Sequence, residues 1–267
     1  MKFIKYSIAL IICFALSVPA MAQRSTRSQG EVPPPKTKKA AQEQTVPHRS
    51  KKRSPQNTGV VAGQIRPRVF LNPGHGGHDS DDRPCPFYNE GMQARVEYYE
   101  SDSNLKGAMA MKDILRSRGY EVFMSRVNNT TDDDLNLFEI HQLALNSGAD
   151  VFFAIHSNSS GSATRRVNFP FAIYRGYDGG GTAEGSEELA GIVASNLADC
   201  EATSWSRGGL THGDWSFYRN RSGLGVFRWN KLPGILVENC FHDYQIERER
   251  LLNKDYCGLL ATINSRS

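Results

Sequence analysis

The chain has 267 residues, 39% hydrophobic and 22% charged, an ordinary globular balance that excludes a wholly disordered chain and allows one large domain or two small ones. Its formal charge of +4 is unevenly spread: residues 1–22 carry Lys2 and Lys5 and no acid, residues 23–66 carry ten Lys or Arg against Glu31 and Glu43, and residues 67–267 are left at −6. The basic character therefore belongs to the N-terminal quarter and not to the part that can build a core.

Tyr6 to Ala20 is the longest strongly apolar run, preceded by Lys2 and Lys5 and followed by Ala20-Met21-Ala22. This is the three-part layout of an export signal, with cleavage expected after Ala22. No other segment approaches the roughly 20 apolar residues that a membrane span needs, so no transmembrane segment is expected. Cys13 follows Ile12 and not a small residue, which disfavours a lipid anchor; the expectation is release to the periplasm or the exterior. Residues 23–66 hold Pro33-Pro34-Pro35, Lys36, Lys38, Lys39 and the run His48-Arg49-Ser50-Lys51-Lys52-Arg53, with little apolar surface to bury. They read as a disordered basic linker. A nucleic-acid arm is the usual reading of such a run; in an exported chain a solvated spacer attracted to anionic envelope polymers fits better, and no nucleic-acid partner is expected. Cys85, Cys200, Cys240 and Cys257 match no zinc-ribbon spacing, and export permits disulfides whose pairing the sequence does not give.

From Pro67 onward, short runs rich in Val, Ile and Phe alternate with longer stretches of helical period. This predicts a single α/β domain over 67–267, a mostly parallel central sheet flanked by helices. The expected strands are Val69–Leu71, Glu121–Ser125, Val151–Ile155, Phe169–Tyr174 and Gly234–Glu238. Asn104–Arg118 reads as a helix stopped by Gly119, Leu135–Ser147 as one stopped by Gly148, and Ser186–Ala198 as a third, with Leu189, Ile192, Val193 and Leu197 on one stripe.

Chemistry-bearing residues collect where three of these strands end. Val69–Leu71 runs into Asn72-Pro73-Gly74-His75-Gly76-Gly77-His78-Asp79, Val151–Ile155 into His156-Ser157-Asn158, and Gly234–Val237 into Glu238-Asn239. The carboxyl ends of strands in an open α/β sheet line the ligand crevice, so His75, His156 and Glu238 are expected to converge. Two neutral imidazoles and one carboxylate are a common zinc set in hydrolases, with an open fourth position, and a further carboxylate can move the proton of an attacking water. On chemistry alone His75 and His156 are ligands, Glu238 is ligand or base, and one more acid is needed from Asp79, Asp81, Asp82, Glu90, Glu97 or Glu100.

These residues resemble the zinc-dependent N-acetylmuramoyl-L-alanine amidases of bacterial cell walls. Phe70-Leu71-Asn72-Pro73-Gly74-His75-Gly76-Gly77 is similar to the family's opening strand and first zinc ligand. Glu100-Ser101-Asp102-Ser103-Asn104-Leu105 is similar to its Glu-x-x-x-Asn-Leu helix start, and Asn146-Ser147-Gly148-Ala149-Asp150 leading to Ile155-His156-Ser157-Asn158 to the segment of the third ligand. Pro233 to Phe241 resembles the closing strand, whose Glu is catalytic. The resemblance implies zinc on His75, Glu100 and His156, Glu238 as the catalytic acid and base, peptidoglycan as the partner, and cleavage between the lactyl group of N-acetylmuramic acid and L-alanine.

The chain departs from the family at Asn72, where Asp is usual, at Cys240, where Gly is usual, and in the longer segment Gly77–Tyr99, which leaves Glu97 as a rival to Glu100. His78 forms a His-x-x-His pair with His75 and is a further candidate ligand. Arg228 and Asn158 are the candidates for substrate contact, an ion pair being the alternative for Arg228 as for Arg219. A zinc exopeptidase would open with His-x-x-Glu, which His78 disfavours, and a non-catalytic wall-binding protein has no need of Glu238. Some relatives carry a helix that plugs the zinc site until an activator moves it. Here Arg175–Gly185 offers eleven residues with five glycines, so no plug and no obligatory activator are expected.

Overall fold

The computed structural model describes residues 66–78, 87–89, 94–161, 167–200, 202–203 and 210–267. The export signal and the basic linker expected over 1–66 lie almost wholly outside them, as does Cys85. In chain order the strands are β1 (Arg68–Pro73), β2 (Phe87–Asn89), β3 (Ala94–Val96), β4 (Glu121–Met124), β5 (Val151–Asn158), β6 (Phe171–Tyr174), β7 (Gly176–Tyr177), β8 (Gly180–Gly181), β9 (Leu210–Gly213) and β10 (Gly234–Phe241). The helices are α1 (Glu100–Ser117), α2 (Leu137–Ser147), α3 (Ser186–Asp199), α4 (Asp214–Phe217), α5 (Gln245–Leu252) and α6 (Lys254–Asn264).

Six strands form the central sheet in the order β4-β1-β5-β10-β6-β9. Every neighbouring pair is parallel except β10 with β6, so the sheet is mostly parallel, as the alternation of strand and helix implies. The near-continuous apolar runs of β1, β5 and β10 follow from burial on both faces. One face carries Leu71, Phe153, Ile155, Ile235 and Val237 against α1, α3 and α6. The other carries Phe70, Phe152, Ala154 and Leu236, covered by α2 and the 3-10 turn Gly225–Phe227.

Local chemistry sets the helix ends. Asn136 caps α2 by accepting the backbone N–H groups of Phe138 and Glu139, while Glu139 reaches back to the Asn136 N–H. Gly148 closes that helix in the left-handed conformation at φ 62°. The first helix begins at Glu100, four residues before its expected start, because its opening turn is polar. Its buried stripe, Asn104, Ala108, Met111 and Leu115, follows helical spacing. The segment 175–185 contains the β7–β8 hairpin. Among the described residues no helix is long and apolar enough to cross a membrane, and Cys200, Cys240 and Cys257 are free thiols.

Candidate metal centre

The first contributor is the turn after β1. His75 adopts φ 61°, a left-handed backbone uncommon outside glycine, which turns its ring back over the sheet edge. Gly74 is required beside it: a Cβ there would lie 2.0 Å from Cε1 of His156. The turn is fixed from below by the buried guanidinium of Arg126, which donates to the carbonyls of Pro73 (3.1 Å), Gly74 (3.0 Å) and Ser101 (2.9 Å). One side chain thereby ties the β1 turn to the first turn of α1.

The second contributor is that first turn. Glu100 is 3% exposed, at a helix N-terminus where unpaired N–H groups favour a carboxylate. Its Oε2 lies 3.2 Å from Nε2 of His75, and its Oε1 lies 3.1 Å from Nδ1 of His156. Oε1 also accepts the backbone N–H of Ser157 at 3.0 Å and Nδ2 of Asn104 at 3.1 Å, one helical turn on. Burial pushes the Glu100 carboxyl up, but the two imidazoles, His75 foremost, outweigh it and hold the group well below the usual carboxylate range. Burial draws His156 below the ordinary histidine value, against the pull of Glu100, which keeps its ring neutral.

The third contributor is β10. Glu238 pairs in parallel register with His156, and register partners on neighbouring strands project to the same face. The carboxylate is 6% exposed and thus sits beside the imidazole at the carboxyl end of the sheet.

Behind these groups stands a polar network. The Tyr98 hydroxyl lies 2.7 Å from Ser103 Oγ and 2.9 Å from Ser157 Oγ, and Ser157 Oγ lies 3.0 Å from Nδ1 of His242. The carbonyl of Ser157 is 2.9 Å from the same nitrogen and accepts its proton. His242 is 1% exposed and 3.9 Å from Glu100 Oε2.

His75, Glu100 and His156 each offer a ligand atom, all within 4.8 Å of one another. Two imidazoles and an ionised carboxylate around one point suit a zinc ion with three protein ligands and an open position. Other expected participants fall elsewhere. His78 stacks on Tyr99 at 4.0 Å and hydrogen-bonds Asp102 at 3.0 Å. Glu97 is exposed and accepts the Tyr99 hydroxyl. Asn72 accepts the Ser125 hydroxyl at 2.8 Å, tying β1 to the end of β4. Asn158 closes β5 and its Oδ1 accepts the Ser159 N–H at 2.7 Å. Arg228 does not join the cluster: it precedes β10, whose first residue, Gly234, is at the opposite end of the strand from Glu238, and its guanidinium lies over the Trp229 ring.

Tyr98, Asn104, Ser157 and His242 are the participants that the sequence reading missed as site residues. Only Asn104 carried a local signal, its i,i+4 spacing from Glu100 on a helix.

Two curated relatives match this chain. The sporulation-specific N-acetylmuramoyl-L-alanine amidase of Bacillus subtilis is 28% identical over 195 residues, 73% of this chain and 64% of that protein. The N-acetylmuramoyl-L-alanine amidase CwlM of Bacillus licheniformis is 25% identical over 197 residues, again 73% of this chain and 64% of the relative. The match thus spans 64% of the length of these relatives. Among solved structures, the N-acetylmuramoyl-L-alanine amidase from Clostridium difficile 630 superposes with a TM-score of 0.58 at 27% identity, covering 75% of this chain and 94% of that one. AmiC2 of Nostoc punctiforme, at 21% identity and a TM-score of 0.58, covers 76% and 96% and shares the fold. The family model described as N-acetylmuramoyl-L-alanine amidase matches residues 69–263, and with His75, Glu100, His156 and Glu238 all inside that span, the chain belongs to this family.

Proposed function

We propose that this chain is an exported zinc-dependent hydrolase of peptidoglycan, cleaving the amide between the lactyl group of N-acetylmuramic acid and the first L-alanine of the stem peptide. The observation that carries this reading is the pairing of a His75–Glu100–His156 cluster with a second buried carboxylate, Glu238, in register beside His156. The names of the matched relatives support the substrate, and the layout of residues 1–22 supports export with cleavage near Ala22. Residues 23–66 serve as the linker and 67–267 as the catalytic domain.

His75, Glu100 and His156 are the residues that would hold zinc, which when bound supplies Lewis acidity for the carbonyl and lowers the pKa of water. Glu100, fastened by Ser157 N–H and Asn104, keeps its carboxylate facing both imidazoles. Glu238 takes the proton of the attacking water and returns it to the alanine nitrogen as the C–N bond breaks. The products are a stem peptide with a free amino terminus and a glycan strand with a lactyl carboxylate. The hairpin in 175–185 follows β6 at the end paired with Ile235, away from Glu238, and the proposed activity includes no obligatory activator.

The test is release of L-alanine-terminated peptide from a soluble muramoyl-peptide, with and without a chelator. Release that stops on chelation and returns with zinc supports the reading; release that is indifferent to the chelator removes the metal from it.

A further inference from the structure

At the end of the sheet opposite the His75–Glu100–His156 cluster, cations and aromatic rings meet. The strand β10 spans Gly234 to Glu238 between the two regions, about 13 Å at the usual rise per residue. A cleft of about 570 Å³ is lined by His141, Arg175, Trp215, Arg228, Trp229 and Lys231, among others. The Arg228 guanidinium lies 5.6 Å from the centre of the Trp229 ring, and those of Arg175 and Arg221 each lie 5.9 Å from that of Trp215. Tyr177 packs edge-on against Trp215, and Phe138 edge-on against Trp229. Trp229 and Tyr177 are 39% and 45% exposed.

Two features separate this surface from an ordinary solvated face. The segment 67–267 has a net charge of −6, so a cationic group here runs against the charge of its own domain. Among the described residues, moreover, Arg175, Arg221, Arg228 and Lys231 have no carboxylate within ion-pair distance; the Lys and Arg ion pairs given by the structure engage Arg68, Lys112 and Arg250. Asp214 is buried, accepts the backbone N–H groups of Gly176 and Leu224, and feels the charge of Arg175 without forming an ion pair with it. Partly exposed indole rings flanked by arginines that have no carboxylate partner call for a ligand with flat apolar faces and negative charge at intervals.

We propose that this cleft binds the peptide-stripped glycan strand, an inference that rests on the activity proposed above. Hydrolysis adds water across the lactyl amide, the proton going to the alanine nitrogen and the hydroxyl to the carbonyl carbon, so each processed muramoyl unit gains a carboxylate. The product alternates uncharged and carboxylate-bearing pyranose rings. The C–H face of a pyranose packs on the electron-rich face of Trp229 or Trp215, and guanidinium forks take carboxylates. Because the cleft is at the other end of the sheet from Glu238, a strand held there leaves the metal centre open for the next amide.

The test is isothermal titration of the full chain with three probes: a peptide-free oligosaccharide of N-acetylglucosamine and N-acetylmuramic acid with free lactyl carboxylates, a chitooligosaccharide of equal length, and a single-stranded oligonucleotide. W229A and the double variant R228Q/K231Q are measured beside the unsubstituted chain, with melting curves to confirm that these surface changes leave it folded. The expected result is binding of the first probe that is at least about ten-fold weaker in each variant and at least about ten-fold weaker for the chitooligosaccharide. Binding that neither variant alters, or equal variant-sensitive binding of the oligonucleotide, overturns the inference. Amide cleavage is scored on the same preparation. Cleavage with variant-insensitive binding leaves the proposed activity standing and removes the glycan cleft, whereas variant-sensitive strand binding without cleavage removes the activity.

Discussion

The α-carbon of Gly74 faces the imidazole of His156 so closely that a Cβ would lie 2.0 to 2.5 Å from three of its ring atoms. The glycine is therefore part of the metal centre although it offers no ligand. Gly74→Ala must push the ring off its line with Glu100 or shift the β1 turn. Such overpacking costs about 1–3 kcal/mol of stability. Zinc affinity is expected to fall about 10–100-fold, as when groups that orient a ligand are lost. Competition with a chromophoric chelator measures this, and wild-type affinity in Gly74→Ala would show that the ring has room to spare.

Arg126 should matter more to folding than its distance from the chemistry implies. Its guanidinium is 5% exposed and donates to three main-chain carbonyls of two segments, and to Asn128 and Asn129 besides. Lysine keeps the charge but not the fork. Arg126→Lys is expected to lose about 2–4 kcal/mol, from the bonds and carbonyls left unmade. Urea unfolding reads the loss directly, and a change below 1 kcal/mol, on the scale of an ordinary surface substitution, would contradict it.

The two glutamates should separate by substitution. Glu238→Gln keeps the shape and the metal set and is expected to bind one zinc per chain with turnover reduced by several orders of magnitude. Glu100→Ala, His75→Ala and His156→Ala are expected to lose both metal and turnover. Metal analysis beside activity distinguishes them, and loss of zinc in Glu238→Gln with retention in Glu100→Ala would reverse the roles.

Burial also predicts a pH dependence for the metal-free protein. His156 and His242 are both drawn below the ordinary histidine value by burial, His242 despite the carboxylates of Glu100 and Asp243. Between the folded pKa and the unfolded value of about 6.5 the unfolded chain binds more protons. Stability is then complete above 6.5 and is lost as pH falls through the folded pKa. His242→Leu is expected to flatten this fall whatever it does to stability at neutral pH, because it removes one base that gains its proton on unfolding. Melting temperatures from pH 7.5 to 5 check it; an unchanged slope would mean that His242 binds its proton as readily in the fold as in the unfolded chain.

The sheet and its ligand-bearing edge were legible in the sequence because apolar runs ending in His75, His156 and Glu238 need only strand alternation and the carboxyl-end rule to be brought together. The strands β1, β5 and β10 run further than apolarity alone indicates, whereas β4 stops at Met124 and β6 starts at Phe171, inside their expected spans. β5 continues through His156, Ser157 and Asn158 because β10 supplies pairing partners there, which no local pattern reports. The reach of α1 back to Glu100 was hidden by a polar first turn, whereas α6, which packs against α1, buries Tyr256, Cys257, Leu260, Ala261 and Ile263 at helical spacing, a period its own residues carry. His242 and Tyr98 were unreadable for another reason. They act through Ser157, from opposite sides of the chain, and only the folded register brings the three together. Arg228 is a candidate for substrate contact by its side-chain chemistry alone, and that chemistry does not report that it lies six residues before Gly234, on the side of β10 away from Glu238.

The measurement that bears most directly on the whole account is mass analysis of purified peptidoglycan after digestion with the zinc-loaded chain. The account predicts free stem peptides that begin at L-alanine, together with glycan strands whose muramic acid carries a free lactyl carboxylate, and predicts neither with Glu238→Gln. Fragments cut within the peptide, with the lactyl amide intact, would contradict it.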